Sequence, residues 1–335
     1  MKKRTIVIPD IHGISFMISR ILNKLVYNAN NDKLVFLGDY INRGNTNKKT
    51  LDMIIDLKKK NKEVITLKGN HDAFLLDFLN NTTDLNQEML EKKYYIPYYK
   101  INFKQTLQEY YPDKHIFSNL EYIRDNFKKD YPDTYNFLNR LDLFHEDKKY
   151  LYVHAGISPE TQNLNNLPKE EFYKMDRMVY LNTPHTYPKK IVSGHTPALT
   201  AKKMMGLSDI DATPYIGENK ILLDTGAIFG YGLYALTIEN DTGEYKVHNI
   251  GFSDSLPEDF FLENGQLREK LLEIHTDVIK ILLDTYNYSL NMAVALLDTA
   301  IENYFSELFV VLYEPSGDHL YKEQLLGRML NFAQK

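Results

Sequence analysis

The sequence predicts an α/β fold, and three observations carry that prediction. Short β-branched runs alternate with helical patterns through the N-terminal part. Clusters of Asp, His, Gly and Asn follow each run at once, and the later strands are joined by turn-forming residues. Residues 5–8 (Thr-Ile-Val-Ile) read as a strand and residues 16–26 as a helix with apolar positions at helical spacing. Residues 33–37 read as a strand, 50–60 as a helix and 63–67 as a third strand. This order implies a sheet with parallel neighbours and helices on its faces. The polar clusters then lie outside the carboxyl ends of the strands, where open α/β sheets bind their ligands.

Over about residues 73–147 the pattern becomes helical and rich in Tyr, Asn and Lys, without comparable strands, which reads as a helical cap inserted into the core. Strands resume at 150–153, 190–193, 220–224, 233–239 and 244–250. The turn Asp241-Thr242-Gly243 marks the last two as an antiparallel hairpin. From residue 256 the chain reads as helices only, broken near Tyr286-Asn287 and at Pro315-Ser316-Gly317-Asp318. The expected organisation is a catalytic domain at 1–255 and a C-terminal helical extension at 256–335.

Composition narrows the chemistry. The formal net charge of −5 offers no general basic field, so nucleic acid is not indicated as a partner. With no cysteine, disulfides, thiolate zinc sites and a cysteine nucleophile are excluded. A metal site must use His, carboxylate and amide donors, which suit Mn²⁺, Fe or Zn²⁺ in a catalytic setting. The apolar run 6–8 stops at Pro9, too short for a signal-peptide core. The apolar stretch 292–312 carries Asp298, Glu302 and Glu307, which a membrane span tolerates poorly. The chain reads as cytoplasmic.

Five short motifs sit at predicted strand ends: Asp10-Ile11-His12-Gly13, Gly38-Asp39-Tyr40-Ile41-Asn42-Arg43-Gly44, Gly69-Asn70-His71-Asp72, His154-Ala155-Gly156 and Gly194-His195-Thr196. Each couples an oxygen or imidazole donor to a glycine, which lets the backbone turn sharply and approach a ligand closely. Taken singly, each is weak evidence, since a lone buried His is more often a satisfied core residue than a ligand.

Together and in this order, the five resemble the calcineurin-like metallophosphoesterases over roughly residues 4–250. More narrowly, they resemble the phosphoprotein phosphatase branch with its bacterial and phage members, which includes the symmetrical dinucleoside tetraphosphatases. The resemblance implies a four-layer α/β (α+β) sandwich of two mixed β-sheets flanked by helices, with the cap and the C-terminal helices as additions. It implies two divalent ions, Mn²⁺ foremost, clamping a phosphate and acidifying a bridging water. Asp39 would be shared by both ions, Asp10 and His12 would complete one, and Asn70, His154 and His195 the other. His71 matches the family's general acid, suited to it by a pKa near working pH. Arg43 matches the arginine that grips phosphate oxygens. Arg177, in Met175-Asp176-Arg177, is the candidate second arginine, against the plainer reading of a solvated helix residue.

Two departures from the family pattern stand out. Pro9 replaces a usual Gly, with little expected effect at a strand end. Asn42 stands where the protein-phosphatase branch has an Asp that orients the acid. An amide oxygen there accepts a hydrogen bond but adds no charge, so His71 is expected to be less readily protonated.

Other features read as structural. His115, His145, His185, His248, His275 and His319 read as surface or core histidines. The tyrosine-rich run 94–99 reads as aromatic packing of the cap in preference to a substrate groove. Asp224-Thr225-Gly226, followed by Gly230, reads as bordering the site without binding metal, and Lys58-Lys59-Lys60 with Lys62 as a solvated helix end.

The resulting expectation is a metal-dependent phosphatase for phosphate monoesters, of the Ser/Thr protein phosphatase type, acting on a phosphorylated protein or a small phosphate ester. One alternative is a dinucleoside polyphosphate hydrolase, with Lys68, Lys202 and Lys203 as candidate polyphosphate contacts. Another is a weakly active regulatory or scaffolding subunit whose C-terminal helices form a dimer or bind a partner protein.

Overall fold

The computed structural model describes residues 2–81, 86–95, 102–113, 115, 118–229 and 231–250. Among them are two five-stranded sheets. The first contains β1 (Arg4–Ile8), β2 (Asp32–Phe36), β3 (Val64–Thr66), β9 (Leu233–Glu239) and β10 (Tyr245–Ile250), in the order β10-β9-β1-β2-β3. The second contains β4 (Phe144–Glu146), β5 (Tyr150–Val153), β6 (Lys190–Ser193), β7 (Tyr215–Ile216) and β8 (Lys220–Leu222), in the order β4-β5-β6-β8-β7. Each sheet is mixed. Three neighbouring strands run parallel, β1-β2-β3 at one side of the first sheet and β5-β6-β8 at the centre of the second, and the remaining pairings are antiparallel.

Alternation along the strands builds the layers. Val7, Val35 and Leu37 from the first sheet pack with Tyr152, Val192 and Ile221 from the second, all fully buried, so these faces meet. Ile6, Ile8, Leu34 and Phe36 point the other way, onto α1 (Ser15–Lys24) and α2 (Asn47–Lys60). Those helices offer Met17, Ile18, Ile21, Leu51 and Ile54 at helical spacing. On the far side, Leu151, Val153, Ile191 and Leu222 pack with Phe172, Tyr180, Leu181 and Ala201. The order of layers is helix, sheet, sheet, helix, as the family resemblance implies.

The cap follows β3 as α3 (Asn70–Leu79), α4 (Gln87–Leu90) with a wider π-turn at Glu91–Tyr95, α5 (Phe103–Tyr110), α6 (Leu120–Asp130) and α7 (Pro132–Asn139). It has no core of its own, because Phe78, Tyr94, Phe103 and Phe127 join the cluster under α1 and α2. Tyr94 is fully buried, with ring centroids 5.0 Å from Phe78 and 5.4 Å from Phe74, so its aromatic character serves packing. The other tyrosine side chains of that run, and the helices expected from residue 256, lie outside the described residues.

The structure corrects the sequence reading at three places. The cap region ends in a strand, β4, that the alternation missed. It is only three residues long and polar, and it pairs with β5 alone. The two-residue β7 was missed for the same reason. Lys58 does not extend into solvent. Its Nζ folds back to donate to the Val64 carbonyl and the Thr66 hydroxyl at the start and end of β3. No helix among the described residues is long and apolar enough to cross a membrane.

Candidate metal centre

Every candidate donor follows a parallel strand. Asp10 and His12 follow β1, Asp39 to Arg43 follow β2, and Asn70 and His71 open α3 just after β3. His154 follows β5, and His195 follows β6. The two sheets present their carboxyl ends to one place, and the six donors converge there.

Asp39 stands at the centre. Its Oδ2 lies 3.7 Å from His12 Nε2, and its Oδ1 lies 3.5 Å from His154 Nε2. It therefore belongs to two clusters whose donor atoms lie close enough to hold a cation, one with His12 and His71 and the other with His154 and His195. Asn70 Oδ1 sits between the second pair of histidines, 3.1 Å from His154 Nε2 and 2.7 Å from His195 Nδ1. Asp10 is buried next to His195, whose backbone N–H donates to both its carboxylate oxygens at 3.1 and 3.0 Å.

The outer contacts prepare the donor atoms. His12 Nδ1 donates to the Ile41 carbonyl and His154 Nδ1 to the Leu37 carbonyl, both at 3.0 Å. Each ring then presents an unprotonated Nε2 to the site, the form that ligates a metal. Asp72, which sequence reasoning quoted but gave no role, accepts from the backbone N–H groups of Asp39, Tyr40 and Gly69 at 2.9, 3.1 and 2.9 Å. It ties the Asp39 loop to the start of α3. Its place three residues after Gly69 is that of a capping-box acid, a signal legible in the sequence.

The glycines have a definite task. A Cβ on Gly69 would stand 2.1 Å from Asp39 Oδ1, and one on Gly194 would stand 2.1 Å from Asp10 Oδ1. Only a residue without a side chain lets these loops close on the carboxylates.

The charges fit a cation. Burial, then Asp224 and Asp39, push Asp10 well above the usual carboxylate range, and burial, then Asp72, do the same to Asp39. Burial raises Asp72 and Asp224 to about 6 each. The imidazoles shift the opposite way. Burial lowers His12, His71 and His195 well below their ordinary value, and takes His154 down to about 3. Crowded carboxylates beside neutral imidazoles form a donor set that a divalent cation completes. The residues present fit two such ions.

His71 lies in the same cavity, its Nε2 3.8 Å from Asp39 Oδ2 and its ring centroid 4.6 Å from that of His12. Asn42 is fully buried behind it, but the expected hydrogen bond is reversed. Thr106 of α5 donates to Asn42 Oδ1 at 2.7 Å, which turns the amide nitrogen towards His71 Nδ1 at 3.1 Å. The ring proton of neutral His71 therefore sits on Nε2, facing the site. An imidazolium would set N–H against N–H at Nδ1.

The two arginines differ. Arg177 is exposed at the start of α9 (Arg177–Asn182), which follows the short α8 (Glu171–Lys174), and its Nε donates to His195 Nε2 at 3.3 Å. Arg43 is half-buried, with its Nε enclosed and without an acceptor. Asp224, expected to border the site, is buried within the same field, its charge acting on Asp10, Asp39 and both arginines. The loop after a sixth parallel strand, β8, brings it there. Of the histidines outside the motifs, His145, His185 and His248 bond Lys33, the Asn219 carbonyl and Thr237, away from this cluster. His115 is exposed in the cap region, where its backbone N–H donates to Asp113 Oδ1. His275 and His319 lie outside the described residues. Of the candidate polyphosphate contacts, Lys202 is buried and committed to Asp211 and Thr213.

Comparison with known proteins gives the family. Residues 3–229 match the calcineurin-like phosphoesterase family, and the chain belongs to it. Two curated relatives are symmetrical bis(5'-nucleosyl)-tetraphosphatases. That of a Marinomonas species is 29% identical over 55% of this chain, and that of Nitrosospira multiformis 26% identical over 52%. The chain covers 58% and 55% of their respective lengths, little more than half. The asymmetrical tetraphosphatase PrpE of Anoxybacillus flavithermus is 25% identical over 69% of this chain and 88% of its own. Among solved structures, a putative diadenosine tetraphosphatase superposes with a TM-score of 0.49 at 16% identity, covering 74% of this chain and 94% of that one.

Proposed function

We propose that this chain is a metal-dependent phosphatase that hydrolyses phosphate monoesters, of the Ser/Thr protein phosphatase type. The observation that carries the reading is the position of Asp39, whose two oxygens face different histidines. Asp10, His12 and Asp39 would hold one ion, and Asp39, Asn70, His154 and His195 the other. When bound, such a pair supplies Lewis-acid polarisation of the phosphate and lowers the pKa of the attacking water.

The chain's own residues would do the rest. Arg43 and Arg177 grip the phosphate oxygens, Arg43 from within and Arg177 from the open edge. His71 delivers the Nε2 proton to the leaving oxygen. That transfer needs the imidazolium form, which the Asn42 amide nitrogen facing Nδ1 opposes. Asp72 holds the Asp39 and Asn70 loops in register.

Hydrolysis of dinucleoside tetraphosphates is the second reading, favoured by what the curated relatives are named for. The commitment of Lys202 to Asp211 removes one cation that a polyphosphate chain would need. Phosphopeptide, diadenosine tetraphosphate and an aryl phosphate, assayed side by side with Mn²⁺, separate the two. A kcat/KM for the dinucleotide far above both monoesters would overturn the first reading. Failure to bind two metals per chain would overturn both and favour a scaffolding role.

A further inference from the structure

We propose that Phe229 is a positioning residue for phosphate binding, its ring orienting the Arg43 guanidinium while leaving the arginine's donors open. The inference rests on the reading of Arg43 as a phosphate-binding arginine. Arg43 carries a charge amid Asp10, Asp39 and Asp224, yet among the described residues no carboxylate lies close enough to form an ion pair with it. Its guanidinium carbon lies 5.4 Å from the centroid of the Phe229 ring, within range of a cation–π contact.

That arrangement has a chemical logic. A carboxylate partner would orient the guanidinium but occupy the N–H groups that a phosphate needs. An aromatic face orients the plane and takes none of them. Arg177 is fastened by the other means, through its Nε on His195.

The local sequence builds the contact. After Asp224, the chain turns through Gly226 at φ +76°, where a Cβ would stand 2.9 Å from Phe229 Cδ2. A short 3₁₀ turn, Ala227–Phe229, then carries the ring against the edge of the first core and beneath Arg43. The segment that sequence reasoning treated as a border thus reaches into the site at both ends, with Asp224 by charge and Phe229 by its ring.

The test compares Phe229→Met, which keeps apolar volume without a π face, with Phe229→Tyr, which keeps the face. Inorganic phosphate binding by calorimetry, and KM and kcat for an aryl phosphate, are measured in Mn²⁺-loaded protein. Phe229→Met is expected to weaken phosphate binding and raise KM by roughly two- to thirty-fold, with Mn²⁺ affinity unchanged and Phe229→Tyr near the parent. In an Arg43→Ala background Phe229→Met should add nothing. Should Phe229→Met fold poorly, a ring-fluorinated phenylalanine at 229 keeps the shape and weakens the face, and the same graded loss is expected. If Arg43→Ala weakens phosphate binding but the Phe229 variants do not, or if the two effects simply add, the proposal is wrong. If Arg43→Ala itself leaves phosphate binding unchanged, the phosphate-binding reading of that arginine fails first.

Discussion

Replacing Asn42 by Asp tests the proton supply directly. In the native protein burial, then the neighbouring His12 and Arg43, depress the His71 pKa, and the Asn42 amide nitrogen stands against its Nδ1 at 3.1 Å. A general acid works only while protonated, so activity that depends on His71 falls as pH rises through this lowered pKa. In Asn42→Asp one carboxylate oxygen keeps the Thr106 hydroxyl, and the other becomes an acceptor for Nδ1–H. A charge pair ~4 Å apart is worth ~4 kcal/mol at an effective dielectric of ~20. Carboxylates at such distances shift partners by about 1–3 pK units.

The alkaline limb of the pH–rate profile should therefore move up by about 1–3 units. The assay is kcat against pH, with Mn²⁺, for an alkyl phosphate and for 4-nitrophenyl phosphate. The alkyl ester needs a proton on its leaving oxygen, so its rate above neutral pH should rise about ten-fold or more. The nitrophenyl ester, with a good leaving group, should change little. Superimposable limbs and rates for the two proteins on the alkyl ester would refute the assignment of His71 as an acid governed by this position.

Other perturbations address the metal centre. Asp72→Asn puts an amide where three backbone N–H groups need an acceptor, and should weaken Mn²⁺ binding about 10–100-fold by calorimetry. Because Asp10 and Asp39 have raised pKa values, metal competes with protons for them. Mn²⁺ affinity should climb as pH rises, with proton release seen as a buffer-dependent binding enthalpy. Mn²⁺ at about 100 times its Kd should stabilise the protein by about 2.7 kcal/mol per site, raising Tm by roughly 5–11 °C over chelator-treated protein. Gly69→Ala, whose Cβ would meet Asp39 Oδ1, should lose Mn²⁺ binding while keeping its far-ultraviolet circular dichroism.

What was legible in the sequence was whatever repeats locally. Strands such as 150–153, 190–193 and 233–239 carry their own alternation, and the structure places them at those bounds. The candidate donors were legible because each of their motifs follows a strand and contains a glycine. The face that Asn42 turns to His71 was not, since it is set by Thr106, sixty-four residues further on. No spacing rule connects them. Phe229 was invisible for the same reason, as its partner lies across the fold.

The backbone carries a second record of the site. Seven non-glycine residues among those described have positive φ, and five of them are His12, Asp39, Asn42, Arg43 and His195. Each left-handed position costs of order 1–3 kcal/mol unless something over-determines it. Together with four buried carboxylates, this concentrates strain and repulsion at the centre. Packing alone does not explain why such residues gather at one end of two otherwise regular sheets. Cation binding does, because it offsets the repulsion and holds the loops, whose glycines and left-handed turns aim the donors inward. The sequence lists these residues as motifs, and the structure gives a physical reason for their spacing: the loops aim buried carboxylates and imidazoles at one place, a donor set that a divalent cation completes.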